Sequence, residues 1–475
     1  MSHQHCKCGC MAPINLEQAL GLSQGEIKEM HSQYVNASLV TLLSLINFDT
    51  PFISAQGVSV FDDQGNEYLD FLGAYGALNL GHNHPQILDA IQRVKTMPNL
   101  LQSSINGITA ALAHNLSHLT PGNLQRSFFC NSGAEAVEGA LKLARIATGR
   151  QKFVHCHNSF HGKTFGALSV TGREKYQQPF RPLIAPSIGV PFGDLEALQD
   201  HLRSRDVAAF IVEPIQGEGG ILEPPKGYLA KAKNLCAQYG SLIIADEVQT
   251  GFGRTGALFA CETEKLVPDI LCLAKSLGGG VMPIGAYITT DEIWRKAYGT
   301  MEKALLHTST FGGNTTACAA ALKTIEVIME QDLCQQAREK GSYFLTHLNN
   351  LKEKYPLLKD VRGRGLMIGL EFQPPERISG KYSLKFTMNV INKLAQAYMG
   401  SLVAGELLNK HQIITAYTLN NPNVIRLEPP LIVTYEQLDR VLDALEEVLS
   451  NHTGFFSMVG SGAKNIISKL THTKS

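Results

Sequence analysis

Three short apolar runs each end in an ionisable side chain: "AAFIVEP" delivers Glu213, "LIIADEV" delivers Asp246 and "DILCLAK" delivers Lys275. Lysine is among the residue types least often buried. A lysine closing such a run, just before "SLGGG", is therefore either a solvated strand end or a nucleophilic amine aimed into a cleft. Ligands of open parallel sheets lie beyond the carboxyl ends of the strands, so these three ends bring two carboxylates and an amine to one edge. A fourth piece, "FFCNSGAEAVEGALKLARIATG", reads as a strand, a small-residue turn and an amphipathic helix that starts near Ser132, Gly133 and Ala134. Unpaired N–H groups and the macrodipole at that start suit a phosphate. A plain capped helix, with Asn131 or Ser132 as the cap, accounts for the same residues.

The phosphorylated ligand that uses a lysine narrows by elimination. "HGKT" at 161–164 ends like a P-loop, but the first glycine of that motif falls on His157. Gly363 and Gly365 in "RGRGLMIG" lack the spacing and context of a dinucleotide fingerprint. Pyridoxal phosphate remains: it needs a lysine for a Schiff base, a carboxylate at its pyridinium nitrogen and a phosphate cradle. Lys275, Asp246 and residues 132–134 supply those three.

The elements that must position these groups follow from length and pattern. At 475 residues the chain is expected to form two domains, or one large domain with an appendage. Residues 15–47 read as helical, and "GVSVFDDQGNEYLDF" reads as a hairpin turning at Asp63-Gln64-Gly65. From about residue 105, "RSFFCNS", "FVHCHNS", "AAFIVEP", "LIIADEV" and "DILCLAKS" alternate with helical segments, the pattern of βαβ units and a mostly parallel sheet. After about residue 325 a smaller α+β unit is expected, with strands in "GLMIGLEFQ" and "VIRLEPPLIV", and it should recruit the amino-terminal hairpin. The expected divisions are an extension (1–35), an N-terminal segment of the small domain (36–75), a large cofactor-binding domain (76–325), a small C-terminal domain (326–450) and a tail (451–475).

Composition excludes some classes. Lys plus Arg and Asp plus Glu both number 42, so a net charge of zero gives no reason to expect a nucleic-acid partner. Ten cysteines form no framework, and Cys130, Cys236, Cys272 and Cys318 fall in apolar runs, which points to a reducing, cytoplasmic setting. The start "MSHQHCKCGCMAP" lacks the apolar stretch of a secretory signal, and no run reaches the roughly 18 residues of a membrane span. His3, His5, Cys6, Cys8 and Cys10 have no second ligand pair at zinc spacing. The arm is read as a terminal extension without a metal, a metal-binding arm being the alternative.

"SFFCNSGAEAVEGALKLA", "NSFHGKTFGALS", "VEPIQGEGG", "DEVQTGFGRTG", "AKSLGGGVMPIGA" and "HTSTFGGN" together resemble the class III aminotransferases, of the fold-type I pyridoxal phosphate superfamily. The likeness runs from about residue 50 to 450, and motif order matches, including the 275 − 246 = 29 residues from aspartate to lysine. Residues 128–145, 211–230 and 268–287 look most like bacterial putrescine aminotransferase; "DFLGAYGALNLGH" looks equally like ornithine aminotransferase. The resemblance implies an α/β fold: a large domain with a mostly parallel seven-stranded sheet, plus a smaller α+β domain. It implies pyridoxal 5′-phosphate as cofactor, bonded to Lys275, with Asp246 at the pyridine nitrogen and Gln249 at the phenolic oxygen. Phe160 then stacks on the ring, although a core phenylalanine is the plain alternative. His161 lies beside the ring, Ser132, Gly133 and Ala134 cup the phosphate, and Thr310 reaches the phosphate of the neighbouring subunit, so a homodimer with a shared site is implied.

For the substrate, the resemblance assigns Arg426 in "VIRLEPP" to the α-carboxylate of glutamate or 2-oxoglutarate, a bidentate task suited to guanidinium. Glu218 in "QGEGG" matches the glutamate that pairs with this arginine when an amine without an α-carboxylate is bound, and Tyr75 falls beside the substrate. A structural salt bridge explains the Glu218–Arg426 pair equally well at this stage. Lys163 stands where ornithine- and acetylornithine-type enzymes carry an arginine, and no tyrosine lies between Tyr34 and Tyr68. Both departures point away from ornithine. The expected activity is transfer of an amino group from a putrescine-like amine to 2-oxoglutarate. The alternatives are amination of an aldehyde in a specialised biosynthetic pathway, an ornithine- or acetylornithine-type reaction, and decarboxylation or amino-group migration on the same fold.

Overall fold

The computed structural model describes residues 13–45, 48–101, 104–184, 186–373 and 399–452. Its largest sheet holds seven strands: β4 (Leu124–Cys130), β5 (Lys152–Cys156), β6 (Ser187–Val190), β7 (Val207–Val212), β8 (Leu242–Asp246), β9 (Ile270–Leu273) and β10 (Gly285–Thr290). In space they run β4-β10-β9-β8-β7-β5-β6, with β10 antiparallel to both neighbours and the other pairs parallel. Every residue of β7 and β9 is buried, as a sheet covered by helices on both faces requires. Five of the seven strands coincide with the apolar runs read from sequence. β6 ("SIGV") and β10 ("GAYITT") do not, because at least half of the residues in each are small or hydroxylated.

From β5 the chain steps outward to β6, then crosses to the opposite side of β5 for β7 and onward to β8 and β9. The order thus reverses between β5 and β7, and a crevice opens beyond their carboxyl ends. The helix Gly133–Thr148 packs across the sheet through Ala136, Val137, Ala140 and Leu143. Gly139 permits that approach, since a Cβ there would meet the Tyr287 ring at 2.3 Å. Gly149, in the left-handed region at φ 69°, ends the helix.

Two four-stranded sheets make up the remainder of the β structure. The first joins β1 (Phe52–Gln56), β2 (Ser59–Asp62) and β3 (Glu67–Asp70) to β13 (Ile413–Ile414). β13 pairs in parallel with β3, Ile413 opposite Leu69, so a carboxy-terminal strand completes the amino-terminal hairpin. The second joins β11 (Leu358–Arg364), β12 (Met367–Phe372), β15 (Val424–Leu427) and β14 (Ala416–Tyr417), all antiparallel. β15 stops before Pro429-Pro430, which offer no N–H to a ladder, so the run "VIRLEPPLIV" is a strand only in its first half.

The amino-terminal segment is helical between residues 16 and 45 but is not one helix. Asn15 and Ser23 each form a capping box, with Gln18 and Glu26, and so start two separate helices, Leu16–Leu20 and Gln24–His31. The second runs on through a π-helical stretch, Ser32–Asn36, into Ala37–Leu45. The Cys/His-rich arm (1–12) and the tail with Phe455, Val459, Ile466 and Leu470 lie outside the described residues. Among the described residues no helix is long and apolar enough to cross a membrane, and no cluster of ligands suits a metal.

Candidate active site

Adjacent strands β7, β8 and β9 deliver Glu213, Asp246 and Lys275 to one rim, which forms a cavity of about 470 Å³ together with Phe160 and His161 from beyond β5. Lys275 has φ 49°, a left-handed conformation that costs a non-glycine residue about 1–3 kcal/mol and persists where the surroundings impose it. Burial pushes its ammonium below the ordinary lysine range and Arg426 adds to this, while Glu428, Glu218 and Asp246 oppose. Asp246 Oδ2 lies 2.7 Å from His161 Nδ1, both residues being buried. Glu213 accepts the backbone N–H groups of Phe160 (2.9 Å) and Gly217 (3.1 Å). Its carboxyl is raised to about 7, first by burial and then by Asp246, with His161 opposing.

Across the cavity lies the start of the helix Gly133–Thr148. Ser132 Oγ accepts the N–H of Glu135 at 3.2 Å, which caps the helix and leaves the N–H groups of Gly133 and Ala134 without intrahelical acceptors at the cavity wall. Gly133 fits closely there: a Cβ would meet Val248 Cγ1 at 2.7 Å, so a larger residue would force that side chain to move. The cap and phosphate readings are therefore compatible. Pyridoxal phosphate suits these residues on three counts. A carboxylate and an amine share the rim, a helix start faces them, and buried His161 Nε2 has no hydrogen-bond partner among the described residues. Thr310 sits on an exposed loop and does not line this cavity.

A second group of charges lies behind Gln249. Arg426, on β15, is wholly buried; its Nη2 donates to Glu218 Oε2 at 2.6 Å, and its Nη1 lies 3.5 Å from Glu428 Oε2. Burial disfavours the guanidinium, but Glu218 and Glu428 more than offset this and hold it charged. Glu218 is lowered on balance: burial raises it, and Arg426 and the Leu419 N–H (2.8 Å) outweigh that. Tyr75 lays its ring 5.1 Å over the guanidinium carbon from a backbone at φ 60°. Gln249 lines the cavity, yet its amide nitrogen donates to both oxygens of Glu428, at 2.9 and 3.1 Å. Lys163 Nζ lies 5.9 Å over the Phe160 ring and 5.0 Å over the Tyr176 ring.

Glu428 is the member of this group that sequence reading missed. Its only signal is its place: Glu428 directly follows β15, two residues after Arg426.

Comparison with known proteins agrees with this geometry. The description "Aminotransferase class-III" matches residues 47–449. The aminotransferase PigE of Serratia sp. (strain ATCC 39006) is 40% identical over 456 residues, which are 90% of this chain and 54% of that protein. The chain thus spans about half the length of that curated relative. The ornithine aminotransferase of Toxoplasma gondii superposes with a TM-score of 0.80 at 30% identity, covering 91% of this chain and 96% of the other. Acetylornithine aminotransferase of Elizabethkingia anophelis gives 0.72 at 29%, covering 91% and 100%. An (S)-enantioselective omega-transaminase from Thermomicrobium roseum gives 0.75 at 29%, covering 84% and 92%. The seven-stranded rim, its lysine and its facing helix start belong to a fold-type I transferase, and the chain is a member of the pyridoxal phosphate-dependent class III aminotransferases.

Proposed function

We propose that this chain is an ω-aminotransferase. It takes the amino group of a putrescine-like diamine or another amine without an α-carboxylate and passes it to 2-oxoglutarate, leaving an aldehyde and glutamate. The observation that carries this reading is the buried Glu218–Arg426 contact of 2.6 Å. With Glu218 in place the guanidinium is answered internally, and an amine needs no carboxylate to complete the pocket. When the oxo acid enters, its carboxylate replaces Glu218 on the same fork, a planar pairing that guanidinium favours. Lys163, at the position of an arginine in ornithine-type enzymes, lacks that fork for a distal carboxylate.

Bound pyridoxal phosphate supplies an electrophilic carbonyl and a ring that accepts electrons. Lys275 Nζ would hold it and, once released, take and return the proton at the reacting carbon, a task for which the neutral amine favoured by burial is the competent form. Asp246 would keep a proton on the ring nitrogen, and His161 Nδ1 fixes that carboxylate in place. Ser132, Gly133 and Ala134 would hold the phosphate, Phe160 the ring face and Gln249 the ring's oxygen. In this reading Thr310 serves the site of a second copy, the protein works as a homodimer, and the free cysteines among the described residues suit the cytoplasm.

The test is a half-reaction screen of the holoenzyme, following the cofactor's absorbance as putrescine, L-ornithine, 4-aminobutyrate or a medium-chain amine is added. Putrescine or the simple amine should react fastest, with glutamate formed once 2-oxoglutarate is supplied. Faster reaction with L-ornithine would replace this reading by an ornithine-type one.

A further inference from the structure

Resting on the reading above, we propose that Glu428 is a specificity-determining residue: a second, fixed carboxylate on Arg426 that biases the donor site toward amines lacking an α-carboxylate. Glu218 and Glu428 flank the same guanidinium but are held differently. Glu218 makes a direct hydrogen bond to Arg426 Nη2 and accepts one backbone N–H, that of Leu419. Both contacts leave with the side chain if it swings away. Glu428 is locked on every side. Its backbone N–H donates to the carbonyl of Phe71 at 2.7 Å. The carbonyl of Pro429, next in the chain, accepts from buried Arg254 at 2.6 Å, and Pro430 follows. Gly73 packs so closely that a Cβ would lie 2.3 Å from the Glu428 carbonyl oxygen. The carboxylate itself holds both contacts from Gln249 and is wholly buried.

An α-carboxylate that displaces Glu218 therefore meets a guanidinium already half-compensated, with another negative charge 3.5 Å from its Nη1. Among the described residues Nη1 and Nε of Arg426 have no hydrogen-bond partners, and the Glu428 carboxylate sits beside Nη1. Like charges brought together in a buried site disfavour binding, whereas an amine ligand leaves Glu218 in place and meets no such penalty. Glu428 is also foremost among the carboxylates that offset burial of the Lys275 amine, so its charge reaches the reacting end of the site.

The experiment compares the full-length holoenzyme with Glu428→Gln, which keeps shape and removes charge, and with Glu428→Asp, which keeps charge. The readout is the ratio of half-reaction efficiencies for hexylamine and L-glutamate. Glu428→Gln should move that ratio at least about ten-fold toward L-glutamate, with Glu428→Asp within about three-fold of the parent. Should Glu428→Gln fail to load cofactor, Glu428→Leu removes the same charge and is held to the same ratio. Equal loss on both substrates, or an unchanged ratio, would overturn the inference and leave a structural role. A parent enzyme that prefers L-ornithine defeats the functional reading instead. The Glu428 inference is then still decided by the change in ratio between variants.

Discussion

The cofactor rim and the Arg426 cluster meet at Gln249, yet they are finished to different degrees. The rim has unpartnered donors: among the described residues His161 Nε2 lacks a partner, and the N–H groups of Gly133 and Ala134 have no intrahelical acceptors. The cluster is already ion-paired, with Arg426 between two carboxylates, under the Tyr75 ring and out of contact with solvent. One region awaits a ligand in the geometry it already has. In the reading proposed above, the other exchanges Glu218 for the carboxylate of the oxo acid, so that one pocket serves an amine and an oxo acid in turn.

If the rim is the reacting half, Asp246→Asn should lower transamination about 10³-fold. The amide retains a contact for His161 but loses the negative charge that holds a proton on the ring nitrogen, so cofactor loading should survive while single-turnover rates with every amine collapse. A loss confined to one substrate would move Asp246 out of the rim's shared chemistry.

The cluster responds more selectively. Arg426→Lys keeps a buried positive charge for Glu218 and Glu428 but removes the planar fork. The KM for 2-oxoglutarate should rise about thirty-fold, with the putrescine half-reaction within about three-fold of the parent. Steady-state kinetics beside single-turnover measurements separate the two, and equal damage to both would erase the distinction between the regions.

The smallest effect is on stability. The carboxyl of Glu213 stands at about 7 in the folded protein against an ordinary value of 4.5, chiefly through burial. The folded state therefore binds this proton more tightly than the unfolded chain does. Its stabilising contribution is complete below about pH 4.5 and is lost as pH rises through about 7. The Tm of the cofactor-free protein should show that fall, and Glu213→Gln should flatten it over this window. An unchanged Tm profile in the variant would show that Glu213 does not hold its proton.

The same contrast explains what could be read from sequence. Glu213, Asp246 and Lys275 each lie at the end of a strand or within two residues of it, and parallel pairing of neighbouring strands brings consecutive ends together, so pattern alone located the rim. Ser132 to Ala134 followed from a strand and a helix start in one stretch. The cluster draws Tyr75, Glu218, Gln249 and Arg426 from separate segments, and only motif resemblance named them. Glu428 needed the fold, because its burial depends on Phe71 and Gly73 packing over β15. β6 and β10 were missed because small and hydroxylated residues dilute the apolar signal, and the turn at Gly21 was missed because capping boxes are written in single polar residues.

The most direct test of the rim is covalent. Sodium borohydride fixes a pyridoxal group to the amine that carries it, and peptide mass spectrometry then identifies the residue. The label should appear on Lys275 and vanish in Lys275→Ala; a label on another lysine, or persistence in the variant, would contradict the account.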